Sequence, residues 1–343
     1  MSIIGNSMRK SKLQAFHEKV HTWYAQHGRQ DLPWRKTDDA YAIWISEVML
    51  QQTQVKTVLA RFYYPFLKRF PSLQSLAEAS EEAVLKQWQG LGYYSRARNL
   101  HRAAQLASPA LPNHFDGLIA LPGIGKNTAN AVLAFGFHQP VAILEANVKR
   151  VVARIAALET PTDAELWQQA ERLLDPTHPF DYNQAMMDLG ALVCTPKAPD
   201  CAICPANNIC EGKHDPARYP QKRVRKAVPT REMAILIEED SESRIFVQAR
   251  NSRFLGGLYG MREWPKESFI PEANDRQLGA ITHIYSHFRL EAEIWYRRYS
   301  EPRNSPDWVE RKTLTQLPLS QADIKALTVA WPDFRPALPH SEA

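Results

Sequence analysis

The 343 residues are 44% hydrophobic, long and apolar enough for two domains with separate cores, and 42 Lys and Arg against 37 Asp and Glu leave a formal charge of +5. A surface this mildly basic permits an anionic partner such as nucleic acid without requiring one. No run reaches the roughly eighteen apolar residues of a membrane span, and MSIIGNSMRKSK has no continuous hydrophobic core, so the expectation is a soluble, cytoplasmic protein; a monomer is expected as well.

From Lys12 to about Glu211 apolar residues recur at intervals of three and four, with prolines between the segments, which predicts an all-α domain over residues 12–211. Within YAIWISEVMLQQTQV, Glu47 has Ile43, Trp44, Leu50 and Gln51 as its helical neighbours. An acid among such groups is desolvated, which raises its pKa and suits it to hold a proton near neutral pH. An edge-of-face glutamate reaching solvent fits the same periodicity.

Further on, LPGIGKNTANAVLAFGF (121–137) joins a glycine-bounded turn to a helix beginning near Lys126, preceded by a short apolar run from Phe115 to Leu121. Gly123 and Gly125 free the backbone to aim successive N–H groups outward at a helix N-terminus, a nest that a phosphate fits, although Pro-Gly-x-Gly is also an ordinary turn between helices. In AILEANVKRVVARI (142–155), Glu145 stands immediately before an amphipathic helix, where the dipole favours an ionised carboxylate. A simple capping acid is the alternative, though glutamate caps poorly.

All four cysteines fall in one stretch, Cys194, Cys201, Cys204 and Cys210, separated by six, two and five residues. Four thiolates in one segment of an intracellular chain point to a single metal site, and the spacing alone is open between a [4Fe–4S] cluster and tetrahedral zinc. A basic linker follows at 212–228, with Lys213, Arg218, Lys222, Arg223, Arg225 and Lys226 against one acid, Asp215. Beyond Pro229 the texture turns to β-prone runs at 232–239, 244–250 and 290–299, with a helix expected over 320–331, which predicts an α+β domain over 229–343.

The order of these features, an acid on a helix, a Gly-x-Gly hairpin, an acid before a helix and then the four cysteines, resembles the endonuclease III superfamily of DNA glycosylases over about residues 12–212. Within it, LPWR (32–35), SEVMLQQTQV (46–55) and GLGYYSRARNL (90–100) resemble the MutY adenine DNA glycosylases, and FLGGLYGMREWP (254–265) with THIYSHFRLEAEIW (282–295) is similar to their Nudix-like reader of 8-oxoguanine. The resemblance implies a helix-hairpin-helix fold, a [4Fe–4S] cluster on Cys194, Cys201, Cys204 and Cys210, and hydrolysis of adenine from double-stranded DNA carrying A:8-oxoguanine or A:G mispairs. It implies Glu47 as proton donor and Glu145 as the carboxylate that stabilises or traps the sugar cation, with Trp34, Arg35 and Gln184 near the adenine pocket, Gln52, Leu91 and Tyr93 at the wedge in the base stack, and Ser286 and His287 meeting 8-oxoguanine.

Three departures sharpen these expectations. The family's usual Asp-Gly-Asn is Glu145-Ala146-Asn147 here, a displacement of the carboxylate by about 1.5 Å that suggests a slow enzyme or, as an alternative, a catalytically impaired lesion-binding protein. Asn127 replaces the Schiff-base lysine of bifunctional relatives, and Lys126 points about 100° away on the helix, which predicts monofunctional chemistry. The C-terminal part has no run of glutamates that would hold Mg²⁺ as a Nudix hydrolase does, and Tyr285 replaces the common Phe, so this part should recognise without hydrolysing.

Overall fold

The computed structural model describes residues 3–221, 227–252 and 254–337. Its helices run in order α1 (Ile3–His27), α2 (Ala40–Leu50), α3 (Val55–Arg61), α4 (Tyr63–Arg69), α5 (Leu73–Ala77), α6 (Glu81–Gln87), α7 (Tyr94–Ala107), α8 (Phe115–Ile119), α9 (Lys126–Gly136), α10 (Ala146–Ile155), α11 (Asp163–Leu173) and α12 (Pro179–Leu192). The strands follow as β1 (Thr230–Glu239), β2 (Arg244–Phe246), β3 (Gln248–Ala249), β4 (Tyr259–Gly260), β5 (Arg262–Pro265), β6 (Arg276–Ile284), β7 (Arg289–Arg298) and β8 (Trp308–Glu310), with α13 (Arg311–Leu314) and α14 (Gln321–Ala330) after them. Among the described residues no helix is long and apolar enough to cross a membrane.

Contacts group the chain into two units, Met1–Val48 with Ala110–Val224 and Met49–Pro109 with Arg225–Ala343. The sequence texture drew consecutive blocks, 12–211, 212–228 and 229–343; each unit instead combines two separated segments, because the helices of 49–109 pack more with the C-terminal part than the change from helical to strand texture discloses.

In the first unit α10 supplies the central ridge. Val148, Val151, Val152 and Ile155 recur on one face and meet Phe16, Val20 and Trp23 of α1 and Tyr182, Ala185, Met186 and Leu189 of α12. Thr162 and Glu165 close a reciprocal cap at the start of α11. Two helix crossings admit only glycine: a Cβ at Gly136 would stand 2.8 Å from Ala40 Cα, and one at Gly190 would stand 2.7 Å from the Asn147 Cβ. Part of the expected linker belongs to this unit as well. Gly212 N–H donates to the Arg154 carbonyl at 2.9 Å, Gln221 N–H to that of Glu159 at 2.7 Å, and Arg218 pairs with Glu159. Lys222, Arg223, Arg225 and Lys226 lie outside the described residues.

In the second unit the chain forms a mixed sheet in the order β6-β7-β1-β2-β8, with β5 also paired to β1. Strands β1 and β7 run parallel from Thr230↔Arg289 to Glu239↔Arg298. One face buries Ile235, Ile237, Ala292 and Ile294 under Ala322, Ala326 and Leu327 of α14. Ser320 caps α14 by accepting from Asp323 N–H, and Asp323 in turn receives two bonds from Arg250. In the helical part of this unit, α7 packs against α5 and α6.

Candidate active site

Glu47 lies on the last full turn of α2, half-buried among the buried Ile43, Trp44 and Val48. Burial pushes its carboxyl up to about 7, the nearby charge of Glu145 pushes the same way, and Arg35 opposes both. Glu145 is the N-cap of α10, and its side chain makes no capping bond. Its pKa is also raised, by burial, against the hydrogen bonds of Asn147 and the charges of Arg29 and Arg150. That corrects the expectation of a pair driven apart in opposite directions. Desolvation at this N-cap outweighs the favourable helix end, and what distinguishes the two acids is that Glu145 has three groups supporting its charged form where Glu47 has one.

The segment that delivers Glu145 is extended and polar at its backbone, and three asparagines tether it. Asn183 accepts from Ile143 N–H at 3.0 Å and donates to the Val141 carbonyl at 2.9 Å. Asn130 donates to the Ala142 carbonyl at 2.8 Å, and Asn127 accepts from Leu144 N–H at 2.7 Å. Asn127, expected at a substrate-binding position, thus spends its oxygen on the residue before Glu145. Beyond the acid, Arg150 donates to Asn147 Oδ1 at 2.9 Å, to the Gly190 carbonyl at 2.6 Å and to the Cys194 carbonyl at 2.8 Å.

Trp34 and Arg35 form the short 3₁₀ turn Pro33–Arg35, and both are buried deeply. Arg35 makes a forked pair with the fully buried Asp188, at 2.7 and 2.9 Å, and Arg29 adds its backbone N–H at 2.7 Å and its Nε at 2.8 Å. Burial raises the Asp188 pKa, but the bonds and charges of Arg35 and Arg29 outweigh it, and the net shift is downward. Gln184, one turn before Asp188 on α12, is 2% exposed. Its Oε1, like the Arg35 Nε, is buried without a hydrogen-bond partner among the described residues.

The hairpin is α8, turn and α9, as expected. Gly123 has φ of 78°, a left-handed conformation only glycine adopts without strain, and both Gly123 and Gly125 are exposed. Gly125 is the N-cap of α9 and a Cβ there would meet no atom within 4 Å, so the backbone amides are approachable from outside. Lys126 leans away, its ammonium 4.0 Å from the centre of the Trp167 ring and 3.4 Å from Glu171.

The three wedge candidates separate. Leu91 is buried at 6%, so it is a core residue and not a free tip; Tyr93 is 41% exposed with φ of 52°, and Gln52 is exposed with φ of 59°. Left-handed backbone at two bulky residues is strained and persists only where the surroundings hold it. Arg96, which the sequence reading passed over, is that support. Its guanidinium donates to the carbonyls of Met49 at 3.2 Å, Gln51 at 2.5 Å and Gly92 at 3.2 Å, and it lies 5.2 Å from the Tyr93 ring centre. One half-buried cation therefore fastens the turns that carry Gln52 and Tyr93.

Ser286 and His287 occupy the exposed turn between β6 and β7, with Ser286 Oγ 3.2 Å from His287 Nδ1. Phe254 stands edge-on to His287 at 4.5 Å and to Tyr285 at 4.9 Å. Together with Tyr93, His283 and Ser286 these rings line a cavity of about 350 Å³, so the second unit brings Tyr93 and the 286–287 turn to one place. Phe254 opens the FLGGLYGMREWP stretch that the sequence linked to the reader, but its own place against Tyr285 and His287 was not named there.

Cys194, Cys201, Cys204 and Cys210 are half-buried and line one small cavity with Arg154 and Lys213. Arg154 donates to Cys194 Sγ at 3.3 Å and to the Thr195 carbonyl at 2.7 Å. Four soft donors converging beside cationic donors fit a thiolate-bound metal centre.

Comparison with known proteins agrees with this arrangement. Residues 45–176 match the HhH-GPD superfamily base excision DNA repair protein family. The chain is 41% identical over 264 residues to the adenine DNA glycosylase of Buchnera aphidicola subsp. Baizongia pistaciae, covering 75% of this chain and 73% of that one, and 30% identical over 345 residues to that of Buchnera aphidicola subsp. Schizaphis graminum, covering 92% and 99%. The human adenine DNA glycosylase is 31% identical over 83% of this chain and 67% of its own. Among solved structures, a thermostable thymine-DNA glycosylase superposes with a TM-score of 0.55 at 26% identity over 60% of this chain and 98% of that one. An endonuclease III in complex with DNA shares the fold, with a TM-score of 0.50 at 18% identity over 62% and 98%.

Proposed function

Because this chain belongs to the adenine DNA glycosylase family and releases adenine from DNA in base-excision repair, we propose that Glu47 and Glu145 divide the hydrolysis between them. Glu47, protonated near neutral pH, gives its hydrogen to the departing adenine as the N-glycosidic bond breaks. Glu145, whose charged form Asn147, Arg29 and Arg150 support against burial, faces the cationic sugar and supplies negative charge as it develops. Water then adds to the sugar carbon, its proton returns to Glu47, and the products are adenine and an abasic site. The observation that carries this reading is that two half-buried carboxyls, Glu47 on α2 and Glu145 at the N-cap of α10, come near enough to feel each other's charge although almost a hundred residues apart in sequence.

The extruded adenine is held beside Trp34, with the unmatched Gln184 Oε1 offered to the exocyclic amino group and Arg35 positioned by Asp188. The exposed amides at Gly123 and Gly125 receive a backbone phosphate, and Tyr93 with Gln52 enters the stack where the base has left. Residues 229–343 act as a Nudix-like reader, with Ser286 and His287 addressing 8-oxoguanine, or guanine, opposite the adenine. The cavity shared by Tyr93 and the 286–287 turn supports that pairing of wedge and reader.

Cys194, Cys201, Cys204 and Cys210 would hold a [4Fe–4S] cluster, which supplies a structural anchor for the loop after α12. Arg150 and Arg154 tie that loop to α10 through the Cys194 carbonyl. The enzyme is monofunctional. Asn127 carries a carboxamide and no amine, and Lys126 is held against Trp167 and Glu171, so neither gives the sugar a nucleophilic nitrogen.

The test is single-turnover excision from duplexes carrying adenine opposite 8-oxoguanine, guanine or cytosine, beside a Glu47→Gln control. Release from the first two and none with the control is expected. Release by the control at the wild-type rate, or a stoichiometric protein–DNA adduct trapped by borohydride, would overturn the assignment. The lesion-binding alternative predicts tight binding without any release, and the kinship with named glycosylases does not favour it.

A further inference from the structure

We infer that His21, Asp175 and His178 form a binding site for a divalent metal of the zinc class, separate from the cysteine loop and independent of the catalytic reading above. His21 projects from α1, Asp175 lies between α11 and α12, and His178 is the N-cap of α12. His21 Nε2 is 2.8 Å from Asp175 Oδ2, and His178 Nδ1 is 3.6 Å from that same oxygen. All three donor atoms lie within 4.8 Å of one another. Donors on a tetrahedral ion with bonds of about 2.0–2.1 Å stand roughly 3.3–3.4 Å apart, so the observed separations bracket the required one and small side-chain rotations close the set.

The site has more convergence than a histidine–aspartate hydrogen bond needs. A single imidazole satisfies Oδ2; the second, too far for a hydrogen bond, nevertheless aims its ring nitrogen at the same oxygen. Asp175 is held for this, since its other oxygen accepts Thr177 N–H at 2.9 Å. One turn before His21, His17 fixes the approaching chain through the Leu173 carbonyl at 2.9 Å. These groups open onto a cleft of about 1070 Å³ that also carries Glu18 and Asp181. The cations of the cleft are spent, Lys36 on Asp31 at 3.3 Å and Arg35 on Asp188, so the field favours an incoming positive charge.

Two imidazoles and one carboxylate select a borderline metal over calcium or magnesium, which take oxygen ligands, and they leave a fourth position for water. The hydrogen between His21 and Asp175 must leave its place on binding, either to Nδ1 of the same ring or to solvent, because Nε2 then offers its lone pair to the ion. The bound metal would staple α1 to the start of α12, the helix that carries Gln184 and Asp188.

Calorimetric titration of zinc chloride into the full chain, with melting followed in parallel, tests this against His178→Asn and His21→Gln. The side chain of His178 is 63% exposed, so its replacement leaves the core untouched. Wild type is expected to bind one zinc equivalent outside the thiols and to melt higher with zinc, His21→Gln to lose that equivalent, and His178→Asn to bind it at least roughly 10–100-fold more weakly, with a smaller thermal gain. Equal stoichiometry and equal thermal gain in wild type and His178→Asn would assign all zinc uptake to the thiols and overturn the site. The same gain with calcium would overturn its metal class.

Discussion

The carboxylate site of the first unit and the aromatic cavity of the second are supported by different means. Glu47 and Glu145 stand on α2 and at the head of α10, and the chain between α9 and α10 is fastened atom by atom through Asn127, Asn130 and Asn183. Tyr93, Ser286 and His287 stand on turns, with side chains partly in water, and their support comes from rings and from the single guanidinium of Arg96. Bond-making chemistry tolerates little displacement, whereas recognition by stacking tolerates more. The difference teaches that a rigid scaffold is concentrated where the reacting atoms meet.

The sharpest way to break this comparison is Glu47→Gln, which should lower single-turnover adenine release by about 10²–10⁴-fold, the usual worth of a positioned acid. In wild type the rate should fall as pH rises through about 7, because the required form is the protonated one. Stability has the same sign: between the unperturbed value of 4.5 and about 7 the folded protein keeps a proton that the unfolded chain has released, so this group makes the fold less stable as pH climbs through that window. Glu47→Gln should therefore gain on the order of 2 kcal/mol at pH 8, after discounting for partial exposure, and little at pH 4. Urea unfolding at the two pH values measures it, and an equal effect at both would remove the desolvated acid from the account.

Next in size is Glu145→Asp, which retracts the carboxylate by about 1.5 Å toward the family's usual position and is expected to raise the excision rate by up to about a hundredfold. Equal rates would mean that the backbone around Asn147 already compensates. Tyr93→Ala should weaken binding to a lesion duplex by about tenfold, within the 1–3 kcal/mol of an aromatic–base contact, with a smaller effect on release at saturating protein. The smallest change is expected from Ser286→Ala with His287→Ala, a several-fold loss of preference for 8-oxoguanine over guanine opposite adenine. A loss of basal release as large as that of Glu47→Gln would erase the division between the two regions.

What was legible in the chain was local. Glu47 among apolar neighbours, the Gly-x-Gly turn, the acid preceding α10 and the cysteine spacing are each contained in a single stretch, and so are β1, β7 and α14. The partners of these features were not legible, because they come from far along the chain. Asp188 reaches back to Arg35, Asn183 to Val141 and Ile143, and Arg96 to Met49 and Gln51, and nothing in the spacing announces any of them. Leu91 had the composition of a wedge and the burial of a core residue. Strand β6 escaped notice because most of its residues are exposed and Gly279 interrupts its pairing with β7, leaving no alternation to read.

The asparagine tethers carry a vulnerability of their own. Spontaneous deamidation of an asparagine turns a donor nitrogen into an oxygen, and the three positions would suffer it differently. Asn127 serves Leu144 through its oxygen, so the aged side chain keeps its bond and adds a negative charge next door to Glu145. Asn130 and Asn183 give hydrogens to carbonyls and would lose them, setting oxygen against oxygen. An enzyme that mends chemical wear in DNA thus has the same kind of wear to fear at its own centre.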